Sequence, residues 1–540
     1  ATHLRDAEPV VVIESNPGFS GVLVIVAPDV SILALEIKSD ANRGIIIDDS
    51  ASNVWIDRCH IGPVPSFGIQ IETSSNFIGQ RLENNQVVGL GNVIGGTSLG
   101  IGINGENNTV AGNFIGVRAD GRTIFANEFG ILVNSSNTDV GFEFDSEFYG
   151  NVISGNTNGE ISAIGGVDGL RAGTNIIGNY IGFSPNALSV QSMADTPLFI
   201  SQPRAVVRGN RIGGALGSIF SVRESAVDIL IEDNEFGARP AFAIPMGGTL
   251  MIEANGAQIT NNQFAGSDLA AVDISGVTGF ELADNRFGFI ETFQGALSLP
   301  NFADLRISNS SFGTVSGNRF AFTDGGGAVS LNDVSTVVLS SNTFGLASRV
   351  DSGTGTGLFI ASSVSDIDVE GNAFFYNDSA IVFSDSGTVA EGVMITSVEM
   401  RGNGTAVDLI DNLALANDIG DPDEGPNRLQ NTPEVLSVSG TQSPYLLQYL
   451  VDSASEFSDY PITVEFYGAS DDATPQGQTL LATGTYAAPG TVASLSVDTA
   501  NFDGLVALAT DASGNTSEFS DKVPLPAPPL IFMDRFELVP

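Results

Sequence analysis

The chain has 540 residues, including 63 glycines, and 42% of its residues are hydrophobic, which excludes an intrinsically disordered protein. Its 21 basic and 63 acidic residues give a net charge of −42, which disfavours nucleic acid and anionic membrane surfaces as partners and favours divalent cations. Cys59 is the only cysteine, so an intrachain disulfide is excluded, and no apolar run reaches the roughly 18–20 residues of a membrane span.

The chain starts at Ala1, with neither an initiator methionine nor a signal peptide. A processed start and a large acidic repeat region are typical of exported proteins. We therefore expect a location outside the cell or at the cell surface.

The first notable segment, Trp55-Ile-Asp-Arg-Cys-His60, holds the only tryptophan and the only cysteine of the chain. Its residues alternate as in a half-buried strand, which predicts Trp55, Asp57 and Cys59 on one face of that strand. We expect this segment to have a structural role.

A short motif recurs through most of the chain: an asparagine, any residue, an isoleucine or phenylalanine, and usually a glycine. From Asn179 to Asn403 its successive asparagines lie 23 to 33 residues apart, a period typical of solenoid proteins. Examples of the motif begin at Asn76, Asn92, Asn113, Asn179, Asn210, Asn234, Asn285 and Asn342.

Short runs of alternating apolar residues precede each asparagine, and no run has a helical period long enough to connect them. The strands must then stack on those of the neighbouring repeat, which predicts an all-β fold, a parallel β-helix. We expect each asparagine to adopt the left-handed conformation at a corner and to bond to its counterpart one coil away. The isoleucine or phenylalanine should point inward and stack.

Two adjacent repeats align with a constant offset of 24 residues, which places residues of opposite charge side by side on neighbouring strands. This alignment predicts three ion pairs: Arg204 with Asp228, Arg208 with Glu232, and Arg211 with Glu235.

The same charged residues allow an alternative interpretation as a catalytic site. Cleavage of a polyuronate by a lyase needs a basic residue to take the proton next to the sugar carboxylate, beside carboxylates that hold calcium. Arg204, Arg208, Asp228 and Glu232 are the candidates for such a site. We favour ion pairing, because each arginine has a partner of opposite charge at the same offset.

After about Asp408 the repeat stops, and a polar, turn-rich junction follows at residues 411–432. Asp421, Asp423, Glu424 and Asn427 place several oxygen ligands on one loop, a set that suits calcium. The alternative is a set of solvated turns in which Asp and Asn favour the backbone conformation.

Residues 433–523 contain strand-like runs separated by Gly, Pro and Asp, a spacing that predicts a small β-sandwich. Near its end, Asp511, Ser513, Asn515 and Glu518 form a second candidate calcium set. Residues 524–540 are a proline-rich tail, expected to be a semi-rigid linker with a short terminal segment.

Four segments, residues 91–96 (Gly-Asn-Val-Ile-Gly-Gly), 112–121, 425–431 and 511–520, are similar to those of a known group. The chain resembles secreted bacterial right-handed parallel β-helix proteins, many of which join a pectate-lyase-like solenoid to an immunoglobulin-like domain. The resemblance implies a right-handed parallel β-helix at residues 1–410, an immunoglobulin-like β-sandwich at residues 433–523, and export. It leaves the function open, because this solenoid hosts many activities.

The sequence lacks the Gly-His-Gly and Arg-x-Lys motifs of polygalacturonase-like hydrolases. We expect a secreted or cell-surface structural or adhesive solenoid, with no catalytic residues. Its partner would be an extracellular polysaccharide, a cell-surface glycan, or a second copy in a head-to-tail stack. The alternative is a carbohydrate-active enzyme, a polysaccharide lyase. A groove with convergent Asp and Arg side chains would favour the enzyme.

Overall fold

The computed structural model describes residues 11–15, 21–40, 42–165, 172–183, 196–214, 217–237, 246–292, 295–348, 350–384, 389–410, 415–440, 442–470, 474–499 and 502–526. The chain divides into two compact units, residues 1–329 and 330–540. The division therefore falls inside the predicted β-helix of residues 1–410. Most of the predicted tail, from residue 527 onward, lies outside the described residues.

The first unit is a stack of coils, and each regular coil contributes three strands that pair in parallel with those of the next coil. One strand, usually two residues long, belongs to sheet A, and the next two belong to sheet B. The sheet A strands are Val11–Ser15, Leu35–Ser39, His60–Ile61, Val93–Ile94, Phe114–Ile115, Val152–Ile153, Tyr180–Ile181, Arg211–Ile212, Glu235–Phe236, Gln263–Phe264, Arg286–Phe287 and Arg319–Phe320.

Sheet B receives a first and a second strand from each coil. The first strands are Leu23–Ile25, Arg43–Ile47, Phe67–Ile71, Leu99–Ile103, Phe129–Val133, Gly159–Ala163, Leu198–Ile200, Ser218–Val222, Thr249–Ile252 and Ala270–Ser275. The second strands are Ser31–Leu33, Trp55–Asp57, Phe77–Gly79, Thr109–Ala111, Asp139–Val140, Asn175–Ile177, Val206–Arg208, Leu230–Glu232, Gln258–Thr260 and Thr278–Ala283. The long strand Ala303–Ser316 supplies both for its coil.

The described residues of this stack include three antiparallel hairpins. They are Arg81–Glu83 with Gln86–Val88, Phe142–Phe144 with Glu147–Tyr149, and Phe289–Thr292 with Gly295–Ser298.

The interior of the first unit is a continuous apolar stack beneath sheet A, as the motif predicts. Isoleucines fill it from Ile37 to Ile212, and phenylalanines from Phe236 to Phe320, all fully buried. Successive rings from Phe236 to Phe320 stack with centroids 4.7, 4.9 and 4.8 Å apart, which matches the spacing of paired strands. The prediction that these residues point inward is confirmed.

Buried asparagines form a second continuous stack at the turn before the sheet A strands from Val93–Ile94 onward; we call this turn the ladder corner. Each amide Nδ2 donates to the Oδ1 of the next asparagine at 2.8 to 3.1 Å, and the same Oδ1 accepts the backbone N–H of the first asparagine. The members in the first unit are Asn92, Asn113, Asn151, Asn179, Asn210, Asn234, Asn262, Asn285 and Asn318.

The left-handed residue at this corner is the one before the asparagine, which corrects the prediction. Gly209, Asp233, Asn261 and Asp284 have φ values of 64°, 57°, 53° and 57°. Glycine, asparagine and aspartate tolerate this conformation best, which explains the residue types that precede the ladder.

Two motif asparagines lie at other corners. Asn76 bonds to Asn108 at the turn between the two B strands, which we call the middle corner. Asn403 accepts a bond from Asn377 at the turn after sheet A, which we call the groove corner. The motif alone does not distinguish the corners, because a buried amide satisfies stacked backbone groups equally well at each of them.

The segment around Trp55 does not alternate as predicted. Arg58 has a φ of 58°, so the strand ends at Asp57 and the chain turns. Asp57, Cys59 and Ile56 are all fully buried. Cys59 occupies the ladder corner, where its N–H donates to Asn92 Oδ1 at 2.9 Å. The expected structural role agrees with these contacts.

The second unit begins with further coils of the same design. The described residues include sheet A strands Thr343–Phe344, Ala373–Phe375 and Glu399–Arg401, and two 3₁₀ turns, Val350–Ser352 and Pro426–Leu429. Rings of Phe344 and Phe374 stack at 4.5 Å. Its sheet B strands are Val329–Ser340, Thr356–Ile360, Ser365–Glu370, Ser379–Phe383, Glu391–Thr396 and Thr405–Asp408.

The remainder of the second unit is a small antiparallel β-sandwich, as predicted. Its core includes Leu447, Tyr449, Val464, Phe466 and Leu505. One sheet contains Glu434–Ser439, Tyr445–Leu450 and Ala493–Val497, and the other contains Thr479–Tyr486, Ile462–Ala469, Gly504–Thr510 and Val523–Pro524. In the described parts of the chain, no helix is long and apolar enough to span a membrane.

Candidate functional site

The charged residues of the predicted lyase site are partly held in ion pairs. Strand register aligns Arg208 with Glu232 and Arg211 with Glu235, as the offset of 24 predicts. Arg208 pairs with Glu232 at 3.5 Å and also with Glu143. Arg211 Nε lies 2.9 Å from Glu235 Oε2. Two of the three predicted ion pairs are confirmed.

The third pair does not form. Arg204 and Asp228 occupy equivalent middle corners with φ values of 54° and 58°, but both side chains are exposed and no ion pair joins them in the described structure. Arg208 and Glu232 lie instead at the ends of B strands. The four candidate catalytic residues therefore do not converge on one site.

At the junction, the Asp421 carboxylate is buried and hydrogen-bonded to three neighbouring residues. It is 3% exposed, and its carboxylate accepts bonds from Gln430 Nε2 at 2.7 Å, from the Asn431 N–H at 3.0 Å and from Ser458 Oγ at 3.0 Å. Burial raises the pKa of Asp421 to about 6, although the hydrogen bonds from Ser458, Ser453 and the Asn431 N–H lower it.

The junction nevertheless contains a group of carboxylates. Asp418, Asp421 and Asp423 have oxygens within 4.8 Å of one another. Asp418 Oδ1 is shielded from solvent and lacks a hydrogen-bond partner in the described structure. Glu424 is exposed, whereas Asn427 bonds through its side chain to Val393. Asp418 was not among the predicted calcium ligands, although it lies in the same acidic run.

The second candidate calcium set holds the sandwich against the last coil within the second unit. Asp511 accepts bonds from the backbone of Ser513 and Asn515. Asn515 Oδ1 accepts the Gly392 N–H at 2.9 Å, and Glu518 Oε1 accepts the Leu409 N–H at 3.1 Å. Asn515 Nδ2 also donates to both carboxylate oxygens of Asp511, at 3.2 and 3.0 Å, whereas the Ser513 hydroxyl donates to Asp459. Only Asp511 and Asn515 of the four therefore bond to each other through their side chains.

The same joint continues the asparagine stack of the groove corner into the sandwich. Gln476 is 2% exposed, and its Oε1 accepts both the backbone and the amide N–H of Asn403 at 3.0 Å. Thr516 Oγ1 accepts the Ile395 N–H at 2.9 Å. Burial raises the pKa of Glu465, whose carboxylate accepts the Ser397 N–H. The sandwich therefore satisfies backbone groups at the edge of the last coil.

A groove with a cavity volume of about 950 Å³ lies along the groove corner of the first unit. Backbone hydrogen bonds connect its successive turns, as in Val64 N–H to Gly96 and Glu128 N–H to Thr97. Five turns stacked at about 4.8 Å give a length of roughly 19 Å. The lining comes from residues 38–40, 63–65, 96–98, 126–128 and Thr157.

The loop that follows Phe114–Ile115 shapes one side of this groove. Its Val117 packs on Val93, Phe114 and Val152, the outward residues of sheet A. Farther along the loop, the Phe125 ring packs against Gly95 and leaves no room for a side chain there. This explains why glycine follows the isoleucine of the motif at this position.

An apolar row borders the groove. Phe67, Leu99 and Phe129 are in register on adjacent first B strands, and Phe129 is 40% exposed. The ring of Phe67 packs over Gly102, and that of Phe129 packs against Gly159. Glycines in neighbouring positions thus make room for these rings on the outer face of sheet B. We call the groove together with this row the groove site.

The groove site combines hydrogen-bonding groups with an apolar surface. Asp40 and Glu128 are exposed carboxylates, and Lys38 is one of only two lysines in the chain. Thr97 Oγ1 donates to Asn127 Oδ1 at 2.7 Å, so the floor is a fixed polar network. Sugars fit such a surface, because a pyranose ring has apolar C–H faces and a rim of hydroxyls.

The groove site was not predicted from the sequence. Its residues follow the motif rather than belonging to it, and they include common types such as Ser98 and Glu128. One signal was available: Phe67, Leu99 and Phe129 each begin a strand whose next residue is glycine.

Comparison with known proteins supports the fold. A family described as a right handed beta helix region matches residues 198–374 and 247–414. The chain is an all-β protein with a right-handed parallel β-helix. No curated protein sequence matches the chain.

Solved structures similar to the chain include several parallel β-helix proteins of low sequence identity. A variant tailspike protein of Escherichia coli bacteriophage HK620 in complex with a pentasaccharide has a TM-score of 0.31 and 12% identity, covering 90% of this chain and 84% of that chain. The mannuronan C-5 epimerase AlgE6 A-module of Azotobacter vinelandii has a TM-score of 0.30 and 10% identity. This similarity covers 72% of this chain and 91% of the epimerase module. The surface protein and adhesin PfbA of Streptococcus pneumoniae has a TM-score of 0.27 and 11% identity. This similarity covers 73% of this chain and 92% of the PfbA chain.

Proposed function

We propose that this protein is an extracellular or cell-surface adhesive solenoid that binds a glycan chain in the groove site. One observation carries this proposal: the polar groove crosses five successive coils and lies beside the apolar row of Phe67, Leu99 and Phe129. A length of roughly 19 Å suits several consecutive sugar units rather than one. Rigid stacked strands keep the binding groups in place without a ligand.

The bound glycan should be uncharged or cationic. The chain carries a net charge of −42, and the groove lining contains Asp40 and Glu128 against Lys38. A polyuronate would meet like charge along its whole length, which lowers both its rate of association and its affinity.

The polysaccharide lyase alternative has less support. Its candidates Arg204, Arg208, Asp228 and Glu232 lie at two different places on the coil. Arg208 is already paired with Glu232 and Glu143, so it is poorly placed to accept a proton from a substrate.

We also propose that the junction binds calcium, at a set revised to Asp418, Asp421 and Asp423. The buried Asp418 oxygen without a partner supports this, since calcium prefers several carboxylate and carbonyl oxygens. Asp511, Ser513, Asn515 and Glu518 remain a weaker candidate set. Asn515 and Glu518 bond to the last coil, and the Asp511 carboxylate already accepts hydrogen bonds from Ser513 and Asn515.

Calcium binding can be tested by thermal unfolding. Adding 1 mM calcium should raise the unfolding temperature of the protein, and Asp418→Asn should remove most of that increase. The matched control is Asp452→Asn, an exposed aspartate of the sandwich. An increase that is equally large in Asp418→Asn would contradict the assignment.

Head-to-tail association of two copies stays a prediction. At the C-terminal end of the stack, Gln476 and Thr516 already bond to the last coil within the second unit. Self-association through that coil would have to displace these contacts. Light scattering of the full chain measures it directly.

The proposed function is tested by incubating the protein with neutral, amino-sugar and uronic-acid polysaccharides and measuring retained binding and unsaturated products. We expect binding to neutral or amino-sugar polysaccharides without product formation. Unsaturated products from a uronic-acid polysaccharide would support the lyase instead, and no binding to any polysaccharide would contradict the proposal.

A further inference from the structure

A second, smaller cavity of about 250 Å³ lies at the ladder corner of the first unit, away from the groove corner. Its lining includes one exposed aromatic ring, one tyrosine, one arginine and two carboxylates. These residues are Phe148, Tyr180, Arg211, Asp233 and Glu235. We call this cavity the hairpin pocket, because Phe148 lies on the hairpin of Phe142–Phe144 and Glu147–Tyr149.

The hairpin is fixed in place by contacts at both of its strands. Phe142 and Tyr149 stack with ring centroids 5.3 Å apart, and Glu143 pairs with Arg208, which lies two coils further along the stack. The Phe148 ring packs over Gly178 and Gly209, which have positive φ and no side chain. Phe148 is nevertheless 46% exposed, so part of its ring is available to a ligand.

The opposite wall of the pocket is the outward row of sheet A. Arg211 Nη1 donates to Tyr180 Oη at 3.0 Å, and Arg211 Nε donates to Glu235 at 2.9 Å. Because the Tyr180 oxygen accepts this bond, its own proton is free to be donated. Arg211 also retains N–H groups beyond those used in these two bonds.

Asp233 completes the polar side of the pocket. It is exposed, and its Oδ1 accepts a bond from Asn261 Nδ2 at 2.5 Å. Two arginines, Arg208 and Arg211, lie in or next to the pocket together with four carboxylates. The carboxylates are those of Glu143, Glu232, Asp233 and Glu235. This local excess of negative charge opposes an anionic ligand.

We propose that the hairpin pocket binds a single uncharged hexopyranose unit, independently of the groove site. The volume of about 250 Å³ holds one sugar ring and not a chain. The Phe148 ring offers an apolar face to the C–H groups of the sugar. Arg211, Tyr180 and the carboxylates supply paired donors and acceptors for neighbouring hydroxyls.

The proposal is tested with the full chain by titrating free glucose, galactose, mannose, glucosamine and galacturonate and following saturation-transfer NMR signals of each sugar. We expect saturable binding of at least one neutral hexose. Phe148→Ala should weaken it at least 10-fold, and Tyr180→Phe, which keeps the ring but removes the hydroxyl, should weaken it by a smaller factor. A loss of hexose binding in Phe129→Ala would place the hexose at the groove site instead and would overturn the proposal.

Phe312→Ala is the matched control for Phe148→Ala, since Phe312 is a surface phenylalanine that is 63% exposed. Circular dichroism of each variant verifies its fold. The proposal is overturned if no neutral hexose binds saturably, if binding is the same in Phe148→Ala and Tyr180→Phe as in the unsubstituted protein, or if glucosamine or galacturonate binds more tightly than every neutral hexose.

Discussion

The phenylalanine-stacked coils of the first unit, from Phe236 to Phe320, and its isoleucine-stacked coils, from Ile37 to Ile212, share one asparagine ladder but differ on the outside. The groove lies entirely on isoleucine-stacked coils, and the hairpin pocket lies where the two regions meet. The repeat therefore fixes the path of the backbone, whereas the turns and the outward residues determine what the surface can bind.

The ladder is the feature common to both regions, so breaking it should have the largest effect. Asn262→Ala removes the Oδ1 that accepts from Asn234 and the amide that donates to Asn285, Ile231 and Thr260. The free energy of unfolding should fall by about 3–5 kcal/mol, because buried backbone groups lose their partners.

Chemical denaturation of the full chain measures this loss. Gln258→Ala is the control, because Gln258 is exposed on the preceding strand. A loss below about 1 kcal/mol for Asn262→Ala would mean that water can replace the hydrogen bonds of the Asn262 side chain. The ladder would then not be the main source of stability at this corner.

A buried carboxyl in the phenylalanine-stacked region should make stability depend on pH. Asp304 is fully buried and accepts bonds from Asn301 and Thr323. Burial raises its pKa from 3.8 to about 7. As the pH rises, the unfolded chain loses the Asp304 proton near pH 4, whereas the folded protein keeps it until about pH 7. The free energy of unfolding therefore falls as the pH rises from about 4 to 7.

Asp304→Asn should remove this contribution, which we expect to be about 4 kcal/mol. Denaturation at several pH values between 4 and 8 measures it, with the exposed Asp324→Asn as the control. If Asp304→Asn leaves the slope of stability against pH unchanged, Asp304 titrates normally in the folded protein.

The joint within the second unit should tolerate substitution better than the ladder, because fewer groups lose their partners. Gln476→Ala removes the bonds between its side chain and Asn403. We expect a loss of about 1–3 kcal/mol and faster proteolytic cleavage near the junction. The control is the exposed Gln448→Ala on the sandwich, and equal cleavage rates would show that the joint is held by other contacts.

The ion pair between Arg211 and Glu235 should contribute least to stability. Both side chains are about 40% exposed, and exposed pairs contribute about 0.2–1 kcal/mol. A double-mutant cycle with Arg211→Gln and Glu235→Gln measures the coupling. A coupling above about 2 kcal/mol would show that the pair is more than surface pairing and would strengthen the case for a preorganised hairpin pocket.

The sequence predicted the scaffold because the ladder and the inner stack repeat, and their partners lie one period away. It placed Arg208 opposite Glu232 for the same reason. It did not predict the pairing of Arg208 with Glu143 or the packing of Phe148 over Gly178 and Gly209, since hairpins interrupt the period. The groove was not predicted because the residues that line it occupy the same turn of successive coils but are of different types, so they do not repeat in the sequence.

The most direct test of the account is the affinity of the full chain for a neutral polysaccharide that it retains, compared between Phe129→Ala and Phe312→Ala by isothermal titration calorimetry. Both substitutions remove a partly exposed phenylalanine ring, but only Phe129 belongs to the groove site. We predict that Phe129→Ala weakens binding at least 10-fold, about 1.4 kcal/mol, and that Phe312→Ala leaves it unchanged. Equal affinities for the two variants would contradict glycan binding at the groove site.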